Sequence, residues 1–194
     1  MAITGLTSQT KRNIQLDAGA LYKNYVPATD TPSTATAKLI GATEGGASLS
    51  IVPEVRQIAV DGAKGPTKGF EVIDSWTATL SATMKEVKPE TVALALGAAT
   101  TTTSTSPASY KKVVPDSDYD DSDYLTNVTW IGKIIGSSNP CMIVLKNALC
   151  TNGFTMQAAD KAEGTFEVVL TAHYDVSSLD EIPVEFYLPT IATT

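Results

Sequence analysis

The stretch VDGAKGPTKGF, residues 60–70, sets three glycines beside Lys64 and Lys68, the ingredients of a phosphate cradle. A P-loop needs the order GxxxxGK[ST], so that backbone N–H groups wrap the phosphates and a helix N-terminus receives them. Here Lys68 is followed by Gly69, Pro66 removes a backbone donor, and the residues that follow alternate like a strand. Nucleotide binding is therefore not expected. The stretch reads as a plain hairpin tip or as a docking loop, with Lys64 and Lys68 as its charges and Pro66 limiting its freedom. A second run, DSDYDDSDY (116–124), spaces Asp116, Asp118 and Asp120 like the opening of an EF-hand loop. That loop needs Gly at its sixth position and Glu at its twelfth; this chain has Asp121 and Asn127. The run reads as a solvated acidic loop, with an incidental cation site as the alternative.

His173 is the sole histidine, so a triad or a metal cluster would need other residue types. It falls opposite the apolar parity of its strand, which reads as an exposed position. No GxSxG elbow is present. Cys141 and Cys150 are the only cysteines and read as a reduced, structural pair. Two thiols without histidines do not make a zinc site. Carboxylate pairs stay open, because acids are many and their separations are not legible in a sequence. The expectation is a protein that is not an enzyme and carries no cofactor or metal.

The elements that would position these residues are mostly strands. The clearest signal is FEVIDSWTATLSATMKE. One parity holds Phe70, Val72, Asp74, Trp76, Ala78, Leu80, Ala82 and Met84; the other is rich in Ser and Thr. This is one long strand with an apolar face and a hydroxyl face. It exceeds the usual strand of about 5–6 residues, and such a strand invites pairing with a neighbour. LDAGALYKNY (16–25) reads as a first strand. KLIGATEGGASLSIVPEVRQIAV reads as two strands joined at Glu44-Gly45-Gly46, with Pro53 marking an edge, bulge or bend. KPETVALALG is the one helix: Pro89 suits the first helical position, Glu90 the first turn and Gly97 the stop. AATTTTSTSPAS reads as an exposed low-complexity loop. YLTNVTWIGKII, CMIVLKNAL, GTFEVVLTAHYDV and IPVEFYLP close the chain as strands, the third with Phe166, Val168, Leu170, Ala172, Tyr174 and Val176 on one face. The sum is a mainly β chain, a β-sandwich or barrel-like fold with one short flanking helix. Residues 1–15 read as a poorly ordered N-terminal arm, and 16–194 as a single domain.

Charge is unevenly spread. Of a net −7, residues 1–70 carry seven basic and five acidic side chains, and residues 71–194 seven basic and sixteen acidic ones. Such a chain is poorly suited to gripping nucleic acid. The N-terminal residues are polar where a signal peptide would be apolar, and no apolar run reaches the roughly 20 residues that span a bilayer. A soluble protein made in a cytosol is expected, without a membrane partner. The sequon Asn127-Val128-Thr129 has no meaning in that setting.

LDAGALYKNY, followed by LIGATEGGASLSIVPEVRQIAVDGAKGPTKGFEVIDSWTATLSATMKEVKPETVALALG, resembles the major tail (tail tube) proteins of long-tailed bacteriophages. The resemblance covers Leu16 to Gly97, half the chain, and rests on the order and spacing of its motifs. It implies a β-sandwich tail-tube fold with a helix at its side. It implies hexameric rings stacked into a hollow tube, a conduit for DNA ejection that passes DNA without binding it specifically. It places the protein in the virion tail after synthesis in the host cytoplasm, with tape measure, tail terminator and distal tail proteins as partners. It also makes the N-terminal arm and the loop with Asp61, Lys64, Pro66, Lys68 and Phe70 contacts between subunits. An acidic lumen would keep DNA phosphates from sticking, and Glu71, Asp74, Asp116, Asp118, Asp120, Asp121 and Asp123 are its candidates. The competing reading is a monomeric β-sandwich binding module, for carbohydrate for example. That reading requires an exposed aromatic platform, whereas Trp76 and Trp130 sit on strand parities that suit a core or an interface.

Overall fold

A computed structural model describes residues 4–191. The first three residues of the expected arm and the last three of the chain lie outside the described residues. The fold is mainly β with one α-helix. In chain order the elements are β1 (Gln15–Lys23), β2 (Thr43–Gln57), β3 (Glu71–Met84), α1 (Pro89–Leu96), β4 (Ala99–Thr103), β5 (Lys111–Pro115), β6 (Leu125–Ile134), β7 (Cys141–Cys150), β8 (Met156–Gln157), β9 (Thr165–Thr171) and β10 (Val184–Tyr187). Every ladder is antiparallel.

One strand belongs to both main sheets. β7 runs between β6 and β10, with β1 beyond β6, but its last residues, Leu149 and Cys150, pair with Thr171 and Leu170 of β9. From there the second sheet continues through β3 to β2. The inward faces of the two sheets meet in one core. β3 gives Ala78, Leu80, Ala82 and Met84, β9 gives Phe166, Val168 and Leu170, and the first sheet gives Leu21, Val128 and Leu145. Each large apolar side chain buried there contributes about 1.5–3 kcal/mol. The period-two alternation of β3 and β9 is what aims these residues at one another.

α1 closes the side of this core through Ala95. Pro89 starts it, and the Thr91 hydroxyl accepts the Lys88 N–H while donating to the Glu86 carbonyl. Gly97 ends it at φ +79, where a Cβ would lie 2.2 Å from the Cys150 carbonyl oxygen. Only glycine fits both constraints. On the far face of β1 and β6, Tyr22, Tyr25, Ala35 and Ile131 form a smaller cluster. Asn127 clamps it, accepting the Tyr25 N–H at 3.0 Å and donating to the Tyr25 carbonyl. The sequon asparagine is thus a half-buried strut.

The structure departs from the sequence reading in five places. Residues 43–57 form one strand, not two. Gly45 and Gly46, both at positive φ, are two extra residues that bulge out of the ladder, and pairing with β3 continues on either side. The expected loop after α1 is a hairpin, β4 against β5, because the threonine run finds an extended partner in Lys111–Pro115. β9 stops at Thr171, so Val176 is 91% exposed and leaves the apolar face. His173 is half-buried, not exposed: its Nδ1 lies 3.1 Å from the Asn147 carbonyl oxygen and its ring stands edge-on to Tyr124. The end of the arm is tied down, since Ile135 and Gly136 donate backbone hydrogen bonds to Ile14 and Arg12.

Candidate assembly interface

β2 and β3 are much longer than the sheet that carries them. They pair with each other from Thr43 opposite Met84 to Gln57 opposite Glu71. β9 covers the other side of β3 only from Thr79 to Met84. Among the described residues, 71–77 therefore have β2 on one flank and no strand on the other, and β2 is an edge along its whole length. The Trp76 N–H, which a neighbouring strand would take, donates instead to the Tyr174 hydroxyl at 2.9 Å. The result is a two-stranded ribbon projecting beyond the core. An open ribbon edge is a template for another chain unless something blocks it. Pro53 and a second bulge at Glu54/Val55 are the irregularities present here.

The ribbon keeps a patterned surface outside the core. Ser48 faces Ser81 and Ser50 faces Thr79 across the ladder, continuing the hydroxyl face of the sequence. Farther out, Val52 stands opposite Thr77, and Val55 stands opposite Ile73 on the other face; all three of Val52, Val55 and Ile73 are more than half exposed. On the opposite face Arg56 grips Asp74 with two bonds, Nε to Oδ2 at 3.0 Å and a terminal nitrogen to Oδ1 at 3.1 Å. That pairing raises the guanidinium pKa further.

The tip is closed by the Ile58 N–H donating to the Phe70 carbonyl at 2.8 Å. Three of its N–H groups are used locally: Ala63 donates to Val60, Phe70 to Thr67, and Gly69 to the Glu71 carboxylate. Asp61, Lys64, Pro66, Lys68 and Phe70 are all brought together there and all exposed, and neither lysine makes an ion pair among the described residues.

The acidic candidates do not form one group. Glu71 and Asp74 lie on opposite faces of the ribbon. Asp116, Asp118, Asp120, Asp121 and Asp123 follow β5 at the helix side. Asp116 accepts from the Thr100 hydroxyl, and bonds from the Ser122 hydroxyl and N–H hold the Asp120 carboxyl below its usual range. Among the described residues no three His, Cys, Asp or Glu side chains are grouped to hold a metal ion. Trp76 and Trp130 are both half-buried, so neither forms a free platform. The Trp130 indole donates to the Ala18 carbonyl and fills the space a Cβ at Gly19 would need. That close approach explains the glycine of the DAGA motif. Cys141 and Cys150 are buried free thiols at opposite ends of β7, about 30 Å apart at strand rise. Burial pushes the Cys150 thiol up.

Sequence reasoning read IPVEFYLP as a closing strand but did not single out the C-terminal segment 174–188 as a contact surface. It carries Val176, Leu179, Ile182, Phe186 and Leu188 as exposed large apolar residues. The signal was available, since DVSSLDEIPVEFYLP mixes apolar and acidic residues without one lysine or arginine.

No family model matches this chain, and no curated protein matches it. Among solved structures it is similar to a chain from the tail of an empty GTA particle determined by helical refinement with C6 symmetry. The identity is 10%, with 88% of this chain and 96% of that chain covered, at a TM-score of 0.45.

Proposed function

We propose that this protein is a structural subunit that assembles with copies of itself into hexameric rings, stacked as the tail tube of a bacteriophage and conducting DNA during ejection. The observation that carries the reading is the β2–β3 ribbon, whose edges continue past the core and find no partner strand among the described residues. Backbone donors and acceptors along such an edge are satisfied best by another strand, and an identical copy is the partner always present. Contact between two different surfaces of the same subunit runs head to tail, and closes into a ring when the rotation allows. The resemblance of residues 16–97 to tail tube proteins supports the same reading. In the assembled tube the Ser/Thr face would offer hydroxyls, and the acidic excess would repel phosphate.

Negative-stain microscopy of the concentrated protein tests it. Rings or tubes about one subunit deep are expected; monodisperse monomers at every salt and concentration would overturn the reading.

A further inference from the structure

Where β9 abandons β3, the ribbon base and the C-terminal segment enclose an open groove of about 490 Å³. Ile73, Trp76, Tyr174, Leu179, Asp180 and Ile182 line it. Leu179 is 67% and Ile73 52% exposed, so apolar surface stands uncovered beside an unpaired strand. A second hollow on the other side of Tyr174 adds Asp121 and Asp175. Among the described residues Asp180 makes no ion pair, whereas Asp74, which also lines the groove, is already held by Arg56. From Tyr174 to Ile191 the chain has no basic residue. The groove is therefore apolar at its centre and acidic at its rim.

We propose that this groove receives the 58–70 hairpin tip of a second copy of the chain. The proposal rests on the self-assembly reading above and names the contact that drives it. The tip is the complement of the groove in both respects. It presents Ile58, Val60 and Phe70 as exposed apolar residues, with Lys64 and Lys68 beside a single acid, Asp61. A subunit cannot fill its own groove, because the ladder holds Gln57 against Glu71 and keeps the tip pointing away from the ribbon base. Tip and groove are different surfaces, so each copy can give one and receive one, as a head-to-tail assembly requires. Opposite charges steer the encounter, and salt weakens it.

Charge exchange tests the contact in the full chain. Lys64→Glu with Lys68→Glu, and Asp180→Lys, are each expected to raise the concentration needed for assembly at least tenfold. Their melting temperatures should match the parent. The chain with all three changes should assemble again, and Lys68→Cys with Asp180→Cys should give disulfide-linked oligomers on oxidation. If the parent assembles but the charge variants assemble equally well, or the cysteine pair yields no linked oligomer, this contact is wrong and the assembly reading stands. If the parent never assembles, both fall.

Discussion

The two halves of β3 obey one sequence pattern and live in different surroundings. From Ala78 to Met84 the inward parity is buried between β2 and β9, against α1 and the opposing sheet. From Glu71 to Thr77 the sequence parity continues as Val72, Asp74 and Trp76, but Asp74 is an extra residue in the ladder, so Ile73 takes the place of Val72 on the Trp76 face, and none of these residues is buried. Alternation reports which face of a strand is apolar. It does not report how far along the strand the protein supplies a cover. The near half spends its apolar face on folding, and the far half leaves its own available for association.

Deleting residues 61–68 should break the comparison most sharply. Assembly is expected to be lost altogether while the monomer keeps its melting temperature, measured by light scattering and circular dichroism. An unfolded monomer would mean that the far half serves the fold after all. The next effect is a contrast within one strand. Leu80→Ala empties a fully buried site and should cost about 2–5 kcal/mol in urea unfolding. Ile73→Ser, on the ribbon, should change monomer stability by less than about 0.5 kcal/mol while weakening assembly.

The smallest expected effect concerns pH and the anchoring of β10. Glu185 Oε1 lies 2.5 Å from Lys146 Nζ, joining β10 to β7. Bonds from Lys146 and then Tyr187 hold the Glu185 carboxyl below its ordinary 4.5. Its contribution is therefore complete above pH 4.5 and fades as pH falls through the lowered value. Lys146 is raised above 10.5 by the same bond, so its share is complete below pH 10.5 and fades as pH rises through the raised value. Glu185→Gln should flatten both limbs of the melting-temperature profile slightly. Arg56→Ala, on the exposed ribbon, should leave that profile unchanged.

Much of the fold was legible because local chemistry repeats there. Pro89, Glu90 and Gly97 framed a real helix, and the alternation in 70–85 and 166–172 named the core residues of β3 and β9. What stayed hidden depended on partners distant in the chain. Gly45-Gly46 looks the same as a turn or as a bulge until β3 is seen pairing on both sides of it. The threonine run of β4 has no alternation of apolar residues to mark it as a strand. The stretch 60–70 was legible as the tip of a hairpin, because its glycines and proline interrupt two strand patterns. The groove was not foreseen, because it joins residues 73–76 to residues 174–182 and exists only after β9 ends early.

The overhang of β3 also sets a distance. At a strand rise of about 3.3 Å per residue, the uncovered stretch reaches roughly 25 Å beyond the core. Any copy held at its end sits at a stand-off counted in residues, so the ribbon works as a ruler for the repeat of the assembly. The pleat restricts how that ruler can change in evolution. Two residues added to each strand lengthen it by about 7 Å and keep its faces, whereas a single added residue turns every side chain beyond it to the wrong side.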